Sequence, residues 1–191
     1  RRNMDDRERV EECLGKIQLS TRHLLELVND VLDMGRIETK QEKGRMEAFD
    51  LEQLMTETSS LVEAQLAETG IRHYRHREGI RHTDLTGNPL HLRQIMINLL
   101  SNAIKYNKPG GRIDTYAKEL SCDGKQAFYE FRITDTGIGM QKEFVKNKLF
   151  QPFTQEKTDA RTQYKGSGLG MSIVKGLIES MNGSIQVESV P

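Results

Sequence analysis

Between Asp5 and about Ile37, the seam positions Val10, Leu14, Ile17, Thr21, Leu24, Val28 and Val31 fall at alternating steps of four and three. A 3.5-residue repeat of this kind keeps one stripe of a long helix turned toward a partner. Cys13, Leu25 and Leu32 widen the stripe, which suits a four-helix bundle better than a two-stranded zipper. A helix laid against its own domain is the alternative. Gly35 and the polar run Glu38 to Arg45 then predict a hinge or linker.

Beyond the linker the pattern changes every ten to twenty residues. Ala48-Phe49-Asp50 predicts a short edge strand, with Asp50 capping a helix over about Leu51 to Glu68. Leu51, Leu54, Met55, Leu61, Val62 and Leu66 are its inward positions. Ile71 to Thr86 reads as two strands broken at Glu78-Gly79. Asn88-Pro89 opens a second helix, with proline in the first turn, where its missing N–H costs nothing. Leu92, Ile95, Met96, Leu99, Leu100, Ala103 and Ile104 form its apolar face.

Pro109-Gly110-Gly111 is a turn. Arg112 to Leu120 and Ala127 to Thr134 predict paired strands, because Tyr129, Phe131 and Ile133 alternate as on a half-buried sheet. A third helix runs over about Leu169 to Met181, Asn182-Gly183 ends it, and Ser184 to Val190 reads as a final strand. Helices and strands without regular β-α-β alternation predict an α+β fold, a two-layer α/β sandwich preceded by a long helix.

Composition narrows the function classes. The 191 residues suit one domain with a helical extension. Lys plus Arg and Asp plus Glu both number 28, which argues against a protein gripping nucleic acid through a broad basic face. Cys13 and Cys122 form no CxxC pair, so neither a disulfide framework nor a zinc site is expected and a reducing cytoplasm is the default. No apolar run reaches the ~20 residues of a membrane span, and Arg1 to Arg9 lack a signal-peptide core. Membrane attachment, at an inner membrane, would come only from regions outside this sequence.

Three polar clusters interrupt the core pattern. On the second helix, Asn98 and Asn102 lie four apart and share a face, with Lys105 and Tyr106 one turn on. An amide oxygen is a hard ligand for hydrated Mg²⁺, and a lysine supplies charge for phosphates; solvated surface amides are the plain alternative. Asp135-Thr-Gly137-Ile-Gly139-Met140 follows a strand end, where a carboxylate can accept from an exocyclic amine and glycines let backbone approach a flat ring. An ordinary turn is the alternative there. Gly166-Ser-Gly168-Leu169-Gly170-Met171 opens the third helix, offering N–H groups and the positive dipole end to phosphate. A flexible helix start would look the same.

Taken in order, with Leu149-Phe150-Gln151-Pro152-Phe153 between the two glycine clusters, these motifs resemble the catalytic domain of sensor histidine kinases, within the ATPases sharing the Bergerat fold. The resemblance covers about Phe49 to Val190. Leu24 to Ile37 resembles the second helix of that family's dimerisation and phosphotransfer domain. It implies a division into a partial phosphotransfer helix over 1–40, a linker over 41–48 and an ATP-binding domain over 49–191. Asn102 would coordinate Mg²⁺, supported by Asn98, while Lys105 would face the phosphates and Tyr106 the nucleotide. Asp135 would bind the adenine amine in a pocket shaped by Gly137 and Gly139. Backbone around Gly166, Gly168, Leu169 and Gly170 would wrap the phosphates of ATP. Met140 to Ser167 would be a lid pinned by Phe150 and Phe153, with Arg161 and Lys165 offering further phosphate contacts.

The family's phosphoacceptor motif has no match among His23, His73, His76, His82 and His91. No catalytic nucleophile is therefore assigned, and the sequence stops at Pro191, before a last strand that the family carries. The expected parent is a homodimeric kinase joined through the first helix, passing phosphate to the receiver domain of a response regulator; this segment would bind nucleotide without autophosphorylating. Two rivals stand beside it. A hydrolysing Bergerat ATPase carries a glutamate where Asn98 stands, and a non-catalytic regulatory module would keep the fold without the nucleotide.

Overall fold

The computed structural model describes residues 7–38, 46–156 and 167–191. Helix α1 spans Arg7–Glu38. Of its seam, Leu14, Ile17, Leu24, Leu25, Val28 and Leu32 are all about half exposed or more, and part of the helix lies alongside α5.

Strand β1 (Glu47–Asp50) leads directly into α2 (Leu51–Thr69). Asp50 makes that junction, since its carboxylate accepts the Gln53 N–H at 2.9 Å and satisfies an orphan donor of the first turn. Strand β2 (Arg72–Glu78) runs parallel to β4 (Arg112–Cys122), and β5 (Ala127–Asp135) runs antiparallel to β4, giving the order β2-β4-β5. The second strand expected between Ile71 and Thr86 is present as β3 (Asp84–Gly87), but it leaves the main sheet and pairs antiparallel with β1. Helix α3 (Pro89–Lys105) starts at Asn88, whose side chain accepts the His91 N–H at 3.0 Å.

With α5 (Gly170–Ser180), these elements form two layers, α2, α3 and α5 against the sheet. One apolar cluster joins Val62 and Leu66 of α2 to Leu100 and Ile104 of α3 and Ile113 of β4. Another joins Ile95 of α3 to Leu169, Ile173, Val174 and Leu177 at α5. Full burial of each such side chain is worth about 1.5–3 kcal/mol, so α3 is held from both flanks. Its apolar face matches the one read from sequence, except that Leu99 is only partly buried.

Three local expectations are corrected. Leu61 is 57% exposed on α2; Thr58 and Ser59 take the inward place instead. Their hydroxyls donate to the Leu54 and Met55 carbonyls at 2.7 and 2.9 Å, which removes the cost of burying them. A short helix α4 (Lys142–Asn147) interrupts the polar segment; its six residues are too few to show a period. Ser184 to Val190 forms no strand. Its Ser189 hydroxyl instead accepts the Met140 N–H at 2.8 Å, and Ile185 rests on the α5 cluster.

Two carboxylates clamp the sheet's connections. Glu119 accepts the Arg81 and His82 backbone N–H groups and bonds the His82 ring, which holds its carboxyl down at about 2. Asp114 is bonded by the Arg112 guanidinium and by His76, which also hold it at about 2.

Candidate functional site

Helix α3 carries Asn98, Asn102 and Lys105, all half-buried, on the side away from its fully buried Leu100. They line a cleft together with Asp135, Gly137, Gly168 and Gly170. Helix α3 joins the clusters, with Gly170 against Asn98 partway along it and Gly137 against the Tyr106 carbonyl at its C-terminal end.

At one end of the cleft, the C-terminus of α3 shapes the loop after β5. The Tyr106 carbonyl accepts the Ile138 N–H at 3.0 Å. Gly137 presses on the same carbonyl: a Cβ there would lie 2.4 Å from Tyr106 O and 2.6 Å from Asp135 Oδ1. Asp135 Oδ1 accepts the Gly137 N–H at 2.8 Å, which aims the carboxylate. Gly139 has φ +67°, and a Cβ on it would meet Val190 O at 2.0 Å. Only glycine fits that crossing of two backbones. Beside the loop, Lys105 Nζ stands 5.0 Å above the Tyr106 ring centroid.

Two residues of this end were not picked out from sequence. Asn107 is 6% exposed. Its Nδ2 donates to Arg112 O at 3.2 Å, and its Oδ1 accepts the Lys108 N–H at 3.0 Å and the Thr136 hydroxyl at 3.1 Å. Thr136 closes the knot, accepting the Arg112 N–H at 2.9 Å and donating its own N–H to Arg112 O at 3.1 Å. The helix end, the Pro109-Gly110-Gly111 turn and the D-T-G loop therefore share one polar junction. An asparagine directly before Lys-Pro-Gly-Gly was the available signal, since such residues bond local backbone at turns.

At the other end, α5 begins at Gly170. The first N–H groups of a helix lack intrahelical partners, and here the Ile173 N–H is taken up by Leu169 O at 3.0 Å. Asn98 Oδ1 lies 3.4 Å from where a Cβ on Gly170 would sit, so the amide of α3 meets the mouth of α5. Gly168, at φ +72°, fits against Phe153 and Thr154 backbone, 2.9 Å from a would-be Cβ. Leu169 does not line the cleft: it is fully buried, its N–H is taken by the Ser167 hydroxyl at 3.1 Å, and it anchors the loop through the core. Phe150 is half-buried with Lys175 Nζ 5.6 Å from its ring centroid. Phe153 is 68% exposed, so its hold on the domain is through backbone rather than ring. Arg161, Lys165 and Gly166 lie outside the described residues.

The residues present suit a nucleotide. A fixed carboxylate beside close-packed glycines can accept from a base amine, and amides, a lysine and a helix N-terminus can face phosphates. The described residues contain no group of three His, Cys, Asp or Glu able to hold a metal by themselves. Mg²⁺, which binds through one or two protein ligands plus substrate phosphates, fits this donor set when it arrives with the nucleotide.

Comparison with known proteins agrees with this geometry. Residues 87–191 match the family described as histidine kinase-, DNA gyrase B-, and HSP90-like ATPase. The circadian input-output histidine kinase CikA of Synechococcus elongatus is 38% identical over 187 residues, covering 95% of this chain and 24% of that protein. This chain thus spans about a quarter of the length of that curated relative. Full-length ShkA in complex with AMPPNP superposes with a TM-score of 0.71 at 26% identity, over 94% of this chain and 36% of that one. The Acinetobacter baumannii histidine kinase AdeS shares the fold, with a TM-score of 0.65 at 21% identity over 93% of this chain and 75% of that one. On motif order, fold and sequence alike, with sensor histidine kinases among its relatives, the chain belongs to the histidine kinase-, DNA gyrase B- and HSP90-like ATPase family.

Proposed function

We propose that this chain is the ATP-binding catalytic domain of a sensor histidine kinase, over residues 49–191, preceded by part of a dimerising phosphotransfer helix over 1–40 and a linker over 41–48. The observation that carries the reading is the Asp135 carboxylate, fixed by the Gly137 N–H on a loop hung from the Tyr106 carbonyl. An oriented carboxylate of this kind can accept from a base amine, which supports the reading.

In this reading Asp135 accepts from the adenine amine, and Gly137 and Gly139 shape the pocket by letting the Tyr106 and Val190 carbonyls pack against the loop. Asn102 holds Mg²⁺, Asn98 supports it, Lys105 neutralises phosphate charge, and Tyr106 borders the nucleotide. Backbone N–H groups at Gly168 and Gly170 receive the phosphates, with Arg161, Lys165 and Gly166 adding contacts from the segment between. Mg·ATP bound here supplies an activated γ-phosphoryl group. The protein's part is positioning and charge neutralisation, toward a histidine outside this sequence and onward to a response regulator receiver domain. Homodimerisation belongs to the exposed seam of α1. A hydrolytic ATPase is the less favoured reading, because the amide of Asn98 cannot take a proton as a general base does.

The test is calorimetric titration of ADP and a non-hydrolysable ATP analogue with Mg²⁺ into the chain and into Asp135→Asn. Losing a hydrogen bond to a charged group costs about 1.5–3 kcal/mol, roughly ten- to hundredfold in affinity. Equal affinity in the variant, or no binding by the folded parent chain, would sink the reading.

A further inference from the structure

Strand β2 is an edge strand, paired with β4 on one side and with no described segment on the other. Its sequence and the turn after it are of one sign. From Arg72 to His82 the chain carries Arg72, Arg75, Arg77 and Arg81 with His73, His76 and His82, against a single acid, Glu78. The whole chain balances at net zero, so this is a local concentration of charge.

Part of that charge is already used. Arg77 pairs with Glu52 of α2 at 2.7 Å, and Glu78 is held by Lys118. Among the described residues, the side chains of Arg72, Arg75 and Arg81 have no acidic partner. Arg72 also stands in register with Arg112 on β4, both exposed. Like charges directly opposite across a ladder are destabilising, and Arg112 spends its charge on Asp114 while its guanidinium lies 4.7 Å from the Tyr74 ring centroid. Farther along the same face, Tyr116 is stacked between His76, at 4.4 Å, and Arg132, at 4.9 Å. Arg112 and Arg132 are thus engaged with rings of the sheet, which, with Arg77 paired to Glu52, leaves Arg72 and Arg75 as the exposed guanidinium groups along the edge strand itself.

Charge on an edge strand ordinarily prevents edge-to-edge pairing between copies. Charge of one sign does that and at the same time selects the opposite sign. We propose that the free edge of β2 is a docking surface for an acidic, extended segment of a partner protein, which adds as a strand beside Arg72–Glu78. The open N–H and C=O groups of an edge strand bond such a segment, and acids on it face Arg72 and Arg75 on the two sides of the sheet. A nucleic acid is disfavoured because it cannot use the open backbone row and the overall charge gives it no long-range attraction. The surface is separate from the cleft of α3 and stands whether or not nucleotide binds there.

The experiment uses a fluorescein-labelled octapeptide alternating glutamate with valine, its glutamine counterpart, and an oligothymidylate of equal charge. Anisotropy titrations at low salt compare the chain with Arg72→Glu/Arg75→Glu and with the milder Arg72→Gln/Arg75→Gln, whose thermal midpoints serve as fold controls. The glutamate peptide is expected to bind the parent at least tenfold more tightly than the charge-reversed variant and to slow amide exchange across Arg72–Glu78. Three outcomes overturn the proposal: equal binding of the glutamine peptide, peptide binding with no slowing of exchange in β2, and tighter binding of the oligonucleotide. Absence of any peptide binding leaves edge protection as the sole role of the charge and overturns it too.

Discussion

Replacing Asn107 with alanine removes one buried amide and three contacts at once. The Lys108 N–H and the Thr136 hydroxyl lose the acceptor at Asn107 Oδ1, and Arg112 O loses one of its donors while keeping the Thr136 N–H. Lys108 and Thr136 are exposed and the Thr136 hydroxyl can turn to Arg112 O at 3.5 Å, so water and that carbonyl replace part of what is lost and each bond is worth about 0.5–1.5 kcal/mol. The expected loss is about 1–3 kcal/mol. For a chain of this size a change of that kind lowers the melting midpoint by roughly 2–4 °C per kcal/mol. The effect should also be directional: the D-T-G loop loses its tie to α3, so ADP affinity falls beyond what lower stability explains at a temperature where both proteins are folded. Asn107→Asp, which keeps the accepting oxygen and loses only the donation to Arg112 O, should lie between parent and alanine variant. Differential scanning fluorimetry with and without ADP reads both effects. A midpoint within about 1 °C of the parent, or unchanged ADP affinity in a destabilised variant, would refute the reasoning.

Acid unfolding should report Glu119 and Asp114. Both carboxyls are held at about 2 in the folded chain, against ordinary values of 4.5 and 3.8, so the unfolded chain takes up protons first as pH falls. Their contribution is complete above those ordinary values and disappears toward pH 2; urea midpoints should fall across that window, and less steeply in Glu119→Gln. An unchanged pH slope in that variant would contradict the clamp. Gly139→Ala puts a methyl 2.0 Å from Val190 O, which must displace the 184–191 segment or the loop, and calorimetry should show loss of most nucleotide affinity; parent-like binding would contradict the crossing. Asn102→Ala should reduce ADP binding in Mg²⁺ far more than binding measured in EDTA, and equal losses in both would remove the metal role from Asn102.

Much of the fold was legible because local chemistry and tertiary structure agree there. Asp50 caps the helix it was expected to cap, α3 opens at Asn88-Pro89 as read, and its apolar face lies where its period put it. The site clusters were legible as motifs, since glycines at close backbone crossings leave a mark in the sequence. What was hidden depends on partners far along the chain. Nothing in Asp84–Gly87 says that it pairs with β1 and not with the main sheet. Thr58 and Ser59 look polar by composition and are buried because their hydroxyls bond back along α2. Asn107 and Thr136, 29 positions apart, look like ordinary turn residues until the chain between them is folded. Ser184 to Val190 alternates like a strand, yet Ser189 holds the Met140 N–H where a ladder would have been.

The parallel pairing of β2 with β4 joins residues about forty apart, as at Glu78 and Lys118, and all of α3 lies within that span. Closing so long a loop costs entropy before any contact repays it, whereas the β4–β5 hairpin needs only its own turn. The hairpin can form without β2, whereas β2 cannot pair until the intervening chain, α3 included, has been brought round. A ligand that touches both α3 and the loop after β5 therefore finds nothing to bind in a half-folded chain, and its presence slows unfolding more than it hastens folding.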